Sequence, residues 1–284
     1  SLTCVRSGIP AFEAIKNDLY ASKKDYDLVS NKIDRSNDQL CIKNSIILEN
    51  VTFTYPGKDI PSLSQLDLEI PSNKVIGIVG ATGSGKSTLI DLILGLIEPD
   101  EGRLVVDGSP INNANKREWQ NTLGFVPQSI FLANNSIKEN IAFGLPLEEI
   151  EEERIDTVIK LAHLEEMVSE LPEGLNTKVG ERGVQLSGGQ RQRIGIARAL
   201  YNDAGVLVLD EATSALDGIT EKIIMDAIHE FSGDKTIIMI AHRFTTVQKC
   251  DIIYMMGHGR IIDQGTYYEL LERNSSFKKM AVHT

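Results

Sequence analysis

The chain has 284 residues, enough for one large or two small domains around a sizeable core. Its net charge of −11 provides no basic face to displace counterions from phosphate backbones, which excludes nucleic acid as a partner. Three cysteines (Cys4, Cys41 and Cys250), odd in number and far apart, fit neither a disulfide framework nor a metal site and point to a reducing setting.

No run approaches the roughly 20 apolar residues of a membrane span. The first residues lack the basic-then-apolar order of a secretory signal, so a soluble chain is expected. Phe12, Ile15 and Leu19 recur at near-helical spacing and predict one modest helix between positions 11 and 29. Residues 31–44 are polar and read as a linker. From Ile46 the period becomes two. Val51, Phe53 and Tyr55 share a strand face that Pro56 and Gly57 end. Residues 66–70 and 103–106 are further strands, expected antiparallel. Residues 75–79, 206–209 and 237–240 are continuous apolar runs, as strands buried on both faces of a parallel sheet require. Between Gln128 and Leu200 the composition is helical, with acidic residues at 148–153 and an apolar stripe over 155–164, which predicts a helical insert in an α/β core. Residues 261–284 read as strand, turn and helix.

Gly80, Ala81, Thr82, Gly83, Ser84, Gly85, Lys86 and Ser87 form the pattern G-x-x-x-x-G-K-S between an apolar strand and a helix beginning near Lys86. By chance this pattern arises in about one chain in a hundred of this length at average composition. Its glycines let backbone N–H groups face phosphates, and the helix N-terminus adds partial positive charge. Lys86 can reach β- and γ-phosphates, and the Ser87 hydroxyl can take a Mg²⁺ position. The strand at 206–209 delivers Asp210 and Glu211 at its C-terminal end, the edge where open α/β sheets bind ligands. Asp210 is the metal-side carboxylate and Glu211 the general base for an attacking water. Gln128 and His242 each follow an apolar segment. The first can bridge metal and lytic water, and the second can bond a γ-phosphate oxygen. Leu186, Ser187, Gly188, Gly189 and Gln190 open a second, Arg-rich helix over 190–201, which makes another anion-facing helix end. A second copy of the chain is the economical user of that end, in a symmetric pair.

Assembled, these residues resemble the nucleotide-binding domain of ATP-binding-cassette (ABC) transporters over residues 46 to about 280. The sequence from Leu186 to Gln190 separates that family from other P-loop ATPases, and Ser214, Ala215, Leu216 and Asp217 continue its pattern. The resemblance implies an α/β P-loop NTPase core with a mostly parallel sheet, an antiparallel β subdomain and an inserted α-helical subdomain at about 129–200. It implies ATP and Mg²⁺ as ligands. Tyr55 would stack on adenine, with Gly80, Thr82 to Thr88 and, from the partner copy, Ser187 to Gln190 around the nucleotide. Ser87, Gln128 and Asp210 would hold the metal. Lys86, Gln128, Glu211 and His242 would be catalytic, and none of these positions departs from the family pattern.

Val179, Gly180, Glu181, Arg182 and Gly183 look like the loop by which exporters touch their transmembrane domain, and residues 136–144 likewise resemble exporters. Trp119 with Gln120, residues 125–132, residues 190–201 and Cys250 with Asp251 look like the flippases of lipid-linked oligosaccharides or polysaccharides. Residues 1–45 resemble the tail and linker that follow a last membrane helix. The resemblance therefore implies an ATPase domain cut from a longer exporter. It would work at the cytoplasmic face of the membrane, beside a transmembrane domain normally carried on the same chain. A cytosolic ABC-type ATPase unconnected with transport and an importer subunit are the alternatives.

Overall fold

The computed structural model describes residues 39–212, 216–230, 233–240 and 244–282, together with Lys16, Leu19 and Tyr20. Those three isolated positions are helical, and the rest of the helix expected between 11 and 29 lies outside the described residues. The chain divides into two units, Ser1–Asp38 and Gln39–Thr284. The second unit begins within the expected linker. The Leu40 N–H donates to Thr122 Oγ1 at 2.8 Å, and the N–H groups of Lys43, Asn44 and Ser45 all converge on the Asp107 carboxylate.

Two sheets form this unit. The first is antiparallel, with β1 (Ser45–Phe53) between β2 (Leu63–Pro71) and β4 (Glu101–Val106), and the short β5 (Ser109–Pro110) outside β4. The second places β3 (Val75–Gly80), β6 (Leu123–Val126), β7 (Val206–Asp210), β8 (Thr236–Ile240), β9 (Ile252–Gly257) and β10 (Arg260–Gly265) in the order β10-β9-β3-β8-β7-β6. All its pairings are parallel except β9 with β10.

The continuous apolar runs have the expected cause. On β3, β7 and β8, Ile76, Ile78, Val206, Val208, Ile238 and Ile240 point into a core shared with the antiparallel sheet and with α1 (Lys86–Ile93). Their neighbours Val75, Val79, Leu207, Leu209, Ile237 and Met239 point to the opposite core. A strand covered on both faces has no solvent side on which to place polar residues.

The remaining helices in chain order are α2 (Lys116–Asn121), α3 (Ile137–Ile141), α4 (Glu152–Leu161), α5 (Glu165–Glu170), α6 (Gly188–Tyr201), α7 (Gly218–Glu230), α8 (Phe244–Val247), α9 (Tyr267–Arg273) and α10 (Ser275–Val282). Helices α3 to α6 interrupt the sheet between β6 and β7, as the helical composition of 128–200 predicts. Arg198 on α6 binds this insert together. Its guanidinium donates to the carbonyls of Asn140 and Phe131 at 2.8 and 2.9 Å and lies 4.7 Å over the Phe143 ring.

The structure redraws two boundaries. The first strand stops at Phe53, so Tyr55 lies in the following turn and not on the strand face shared by Val51 and Phe53. The Thr54 N–H goes to the Asp100 carboxylate at 2.7 Å, which takes the backbone out of the ladder. Helix α6 begins at Gly188, two residues before the expected start, because Ser187 caps it. Strands β6 and β9 have no counterpart among the expected strands.

Candidate functional site

Strands β3, β6, β7 and β8 are parallel neighbours, so their C-terminal ends fall on one edge of the sheet. That edge receives the 80–87 loop from β3, Gln128 two residues beyond β6, and Asp210 with Glu211 from β7. Strand β8 lies between β3 and β7, with Ile240 opposite Asp210. His242 would follow it, but His242 and Ser214 lie outside the described residues.

The 80–87 loop is shaped by close backbone approach. A Cβ at Gly80 would stand 2.5 Å from the Met256 carbonyl. At Gly85, with φ +102, it would stand 2.7 Å from the Ser62 carbonyl. Gly85 is also the N-cap of α1 and has no side chain to cap it. The first N–H groups of a helix have no intrahelical acceptor, so this end is an uncapped, partially positive anion site. Lys86 is buried, and its Nζ donates to the carbonyls of Gly80 at 2.8 Å and Ala81 at 3.1 Å. Burial pushes its pKa below the ordinary value, opposed by the nearby Glu211 and Asp210 carboxylates. The Ser84 hydroxyl is buried with no hydrogen-bond partner, a cost that native interiors rarely carry without a ligand to meet it. An ammonium folded into its own loop, an orphaned hydroxyl and an uncapped helix end together fit a polyphosphate.

Across the edge, Glu211 has φ +49, a left-handed conformation uncommon for a residue with a Cβ. Its N–H donates to the Ile240 carbonyl at 3.2 Å, and its own carbonyl accepts from Gln192 Nε2 at 3.4 Å. Its carboxylate Oε2 accepts from Gln128 Nε2 at 2.8 Å. The structure thus brings Gln128 and Glu211 into direct contact although 83 positions separate them. Ser87, Gln128 and Asp210 offer a hydroxyl, an amide and a carboxylate, hard oxygen donors suited to Mg²⁺. Among the described residues no cluster of three or more His, Cys, Asp or Glu side chains offers a rival metal site.

Tyr55 is partly exposed at the rim. Its ring packs edge-on against Phe53 at 5.0 Å, and its hydroxyl lies 3.4 Å from Thr88 Oγ1. Burial raises the pKa of Asp91, and interaction with the Tyr55 hydroxyl opposes that shift. Ser187 and Gln190 form a reciprocal capping box. The Ser187 hydroxyl accepts from the Gln190 N–H at 3.2 Å, and Gln190 Oε1 accepts from the Ser187 N–H at 2.8 Å. Sequence reasoning passes over Gln192 and Asp91, and it includes Ser84 in the loop without showing that its hydroxyl is buried and unpartnered. Gln192 alone leaves a signal, a polar residue four positions before Ile196 on the buried stripe of α6.

Comparison with known proteins agrees with this geometry. A family profile described as "ABC transporter" matches residues 63–214. The chain is 41% identical over 236 residues to an ATP-dependent lipid A-core flippase of Cupriavidus pinatubonensis, covering 83% of this chain and 40% of the flippase. The ATP-dependent lipid A-core flippase of Escherichia coli is 41% identical over 231 residues, covering 81% and 40%. The chain thus spans well under half the length of these relatives. A structure of a bacterial Atm1-family ABC exporter with ATP bound superposes with a TM-score of 0.82 at 34% identity, over 95% of this chain and 47% of that one.

Proposed function

This chain belongs to the ABC transporter family, and we propose that it is the ATP-binding and ATP-hydrolysing domain of an exporter, working as a head-to-tail pair. The observation that carries the reading is the sheet edge itself, where the uncapped 80–87 loop with buried Lys86 lies beside an acid pair whose second member, Glu211, is bonded to Gln128.

In this reading Lys86 and the first N–H groups of α1 hold the β- and γ-phosphates, and the Ser84 hydroxyl gains the acceptor it lacks. Tyr55 stacks on adenine. Glu211 takes a proton from the attacking water as its oxygen bonds to the γ-phosphorus and the bond to the ADP oxygen breaks. Gln128 orients that water, and His242 bonds a γ-phosphate oxygen. Ser87, Gln128 and Asp210 would hold Mg²⁺, which when bound neutralises charge on the phosphate oxygens. Ser187, Gly188, Gly189 and Gln190 would close over the partner's 80–87 loop, so that binding shuts the pair and phosphate release reopens it.

The names of the relatives extend the proposal to flipping a lipid-borne substrate. The path for it would lie in a transmembrane domain outside this chain, with residues 1–45 as the connecting segment and residues 46–284 at the cytoplasmic face. No helix among the described residues is long and apolar enough to cross a membrane.

The test is Mg²⁺-dependent phosphate release from ATP over a wide range of protein concentration. A rate per chain that rises with concentration, and falls at least about a hundredfold in Glu211→Gln while ATP binding persists, is the expected result. Parent-level turnover in Glu211→Gln would remove the general-base assignment.

A further inference from the structure

Helix α6 carries a buried amide with no role in the scheme above. Gln192 is 3% exposed, on the face that also buries Ile196 and Ala199. An amide in such a place is costly to bury unless it is bonded, and an apolar side chain of similar size would pack there without that cost. Its Nε2 donates to the main-chain carbonyl of Glu211. The Glu211 N–H is tied to Ile240 at the end of β8. Both backbone polar groups of this left-handed residue are therefore held, one by the sheet and one by α6. A residue at φ +49 with a side chain keeps that conformation only while its surroundings fix it. The direction in which its carboxylate leaves the backbone follows from that conformation, and so does its approach to Gln128.

We infer that Gln192 is a positioning residue for hydrolysis. By holding the Glu211 carbonyl it fixes the left-handed backbone that aims the Glu211 carboxylate. The inference rests on the ATPase reading for its function. Gln192 lies five residues beyond Ser187 on the same rigid helix, about 7.5 Å along its axis at 1.5 Å per residue. A displacement of the Ser187 end, where the partner's nucleotide would bind, therefore reaches the general base of the same chain through one side chain. That makes α6 a direct link between the two sites of a pair.

Two variants test the inference. Gln192→Met keeps length and bulk but cannot donate. Gln192→Glu can donate only when protonated. The hold itself is read without turnover, from the Glu211 carbonyl carbon in nucleotide-free chain labelled with ¹³C-carbonyl Glu and ¹⁵N-Ala. The Glu211–Ala212 signal is assigned by its loss in Glu211→Gln. It should move upfield in Gln192→Met, and an unchanged shift overturns the inference. In phosphate release, Gln192→Met should lose about tenfold in kcat with KM for ATP within about twofold, because no substrate contact is removed. A parent-level kcat also overturns it. Burial raises a glutamate pKa, so the activity of Gln192→Glu relative to parent should climb as pH falls from roughly 8 to 6, while that of Gln192→Met stays flat. A flat ratio in both contradicts a donor role. A parent chain without ATPase activity defeats the ATPase reading instead, an active Glu211→Gln removes the general-base assignment, and in either case the carbonyl shift still decides whether Gln192 holds Glu211.

Discussion

The proposed function assigns phosphate contacts to two helix N-termini, and they are built in opposite ways. Helix α1 starts at a left-handed glycine with no side-chain cap, beside a buried ammonium and an orphaned hydroxyl. Helix α6 starts at a closed capping box in which Ser187 and Gln190 satisfy each other. The first end has no side chain competing for its N–H groups. At the second, the Ser187 and Gln190 N–H groups are already bonded, so an anion that takes either must compete with a bond worth about 1 kcal/mol. In the proposed function that difference would let nucleotide bind first at the open end and engage the capped end only when a pair closes.

The largest expected effect comes from the open end. Lys86→Ala removes charged hydrogen bonds of about 2–3 kcal/mol from any bound phosphate, so ATP affinity measured by calorimetry should fall roughly 30- to 150-fold. A change under threefold would mean that the uncapped end is not the phosphate site. Next is the shape of that end. Gly85→Ala forces a Cβ to 2.7 Å from the Ser62 carbonyl at φ +102, and a loss of about 1–3 kcal/mol in a chemical melt is expected. An unchanged midpoint would show that the loop moves aside freely.

Smaller again is the closed end. Ser187→Ala opens the capping box and should cost about 1 kcal/mol of stability. ATP affinity of dilute chains should remain unchanged, while the concentration-dependent part of phosphate release is lost. If dilute-chain affinity fell as much as in Lys86→Ala, the two ends would not be distinct sites.

The smallest effect is a pH dependence. Burial depresses the Lys86 pKa from its ordinary 10.5, so the unfolded chain holds this proton to higher pH than the folded one. Stability should therefore rise with pH between the depressed value and 10.5, relative to Lys86→Met, in paired thermal melts of nucleotide-free protein. A slope of opposite sign would mean that the carboxylates of Glu211 and Asp210 outweigh burial.

The two ends also differ in how far the sequence reveals them. The 80–87 loop is legible as a turn from strand into a helix starting at Lys86, because its glycines, lysine and serine are contiguous. Ser187 is legible as a helix start, but the sequence predicts the first turn two residues late, because a pair of glycines hides helical propensity. Strand β9 went unread although Ile252, Ile253, Tyr254, Met255 and Met256 form an apolar run closed by Gly257 and Gly259. It pairs with β3 on the side away from the acid pair, where no motif draws attention. Tyr55, expected on the strand face with Val51 and Phe53, lies beyond the strand, since its neighbour Thr54 is taken out of the ladder by an aspartate 46 positions away.

By itself the sequence determined which residues could meet a phosphate and which strands are buried on both sides, because both depend on local spacing and on runs of one polarity. Only the tertiary structure decided that Gln128 touches Glu211, that Glu211 takes a left-handed backbone, and that Gln192 holds its carbonyl. Those contacts join segments 19 to 83 positions apart. They form because parallel strands bring their C-terminal ends to one edge, and no local pattern carries that information.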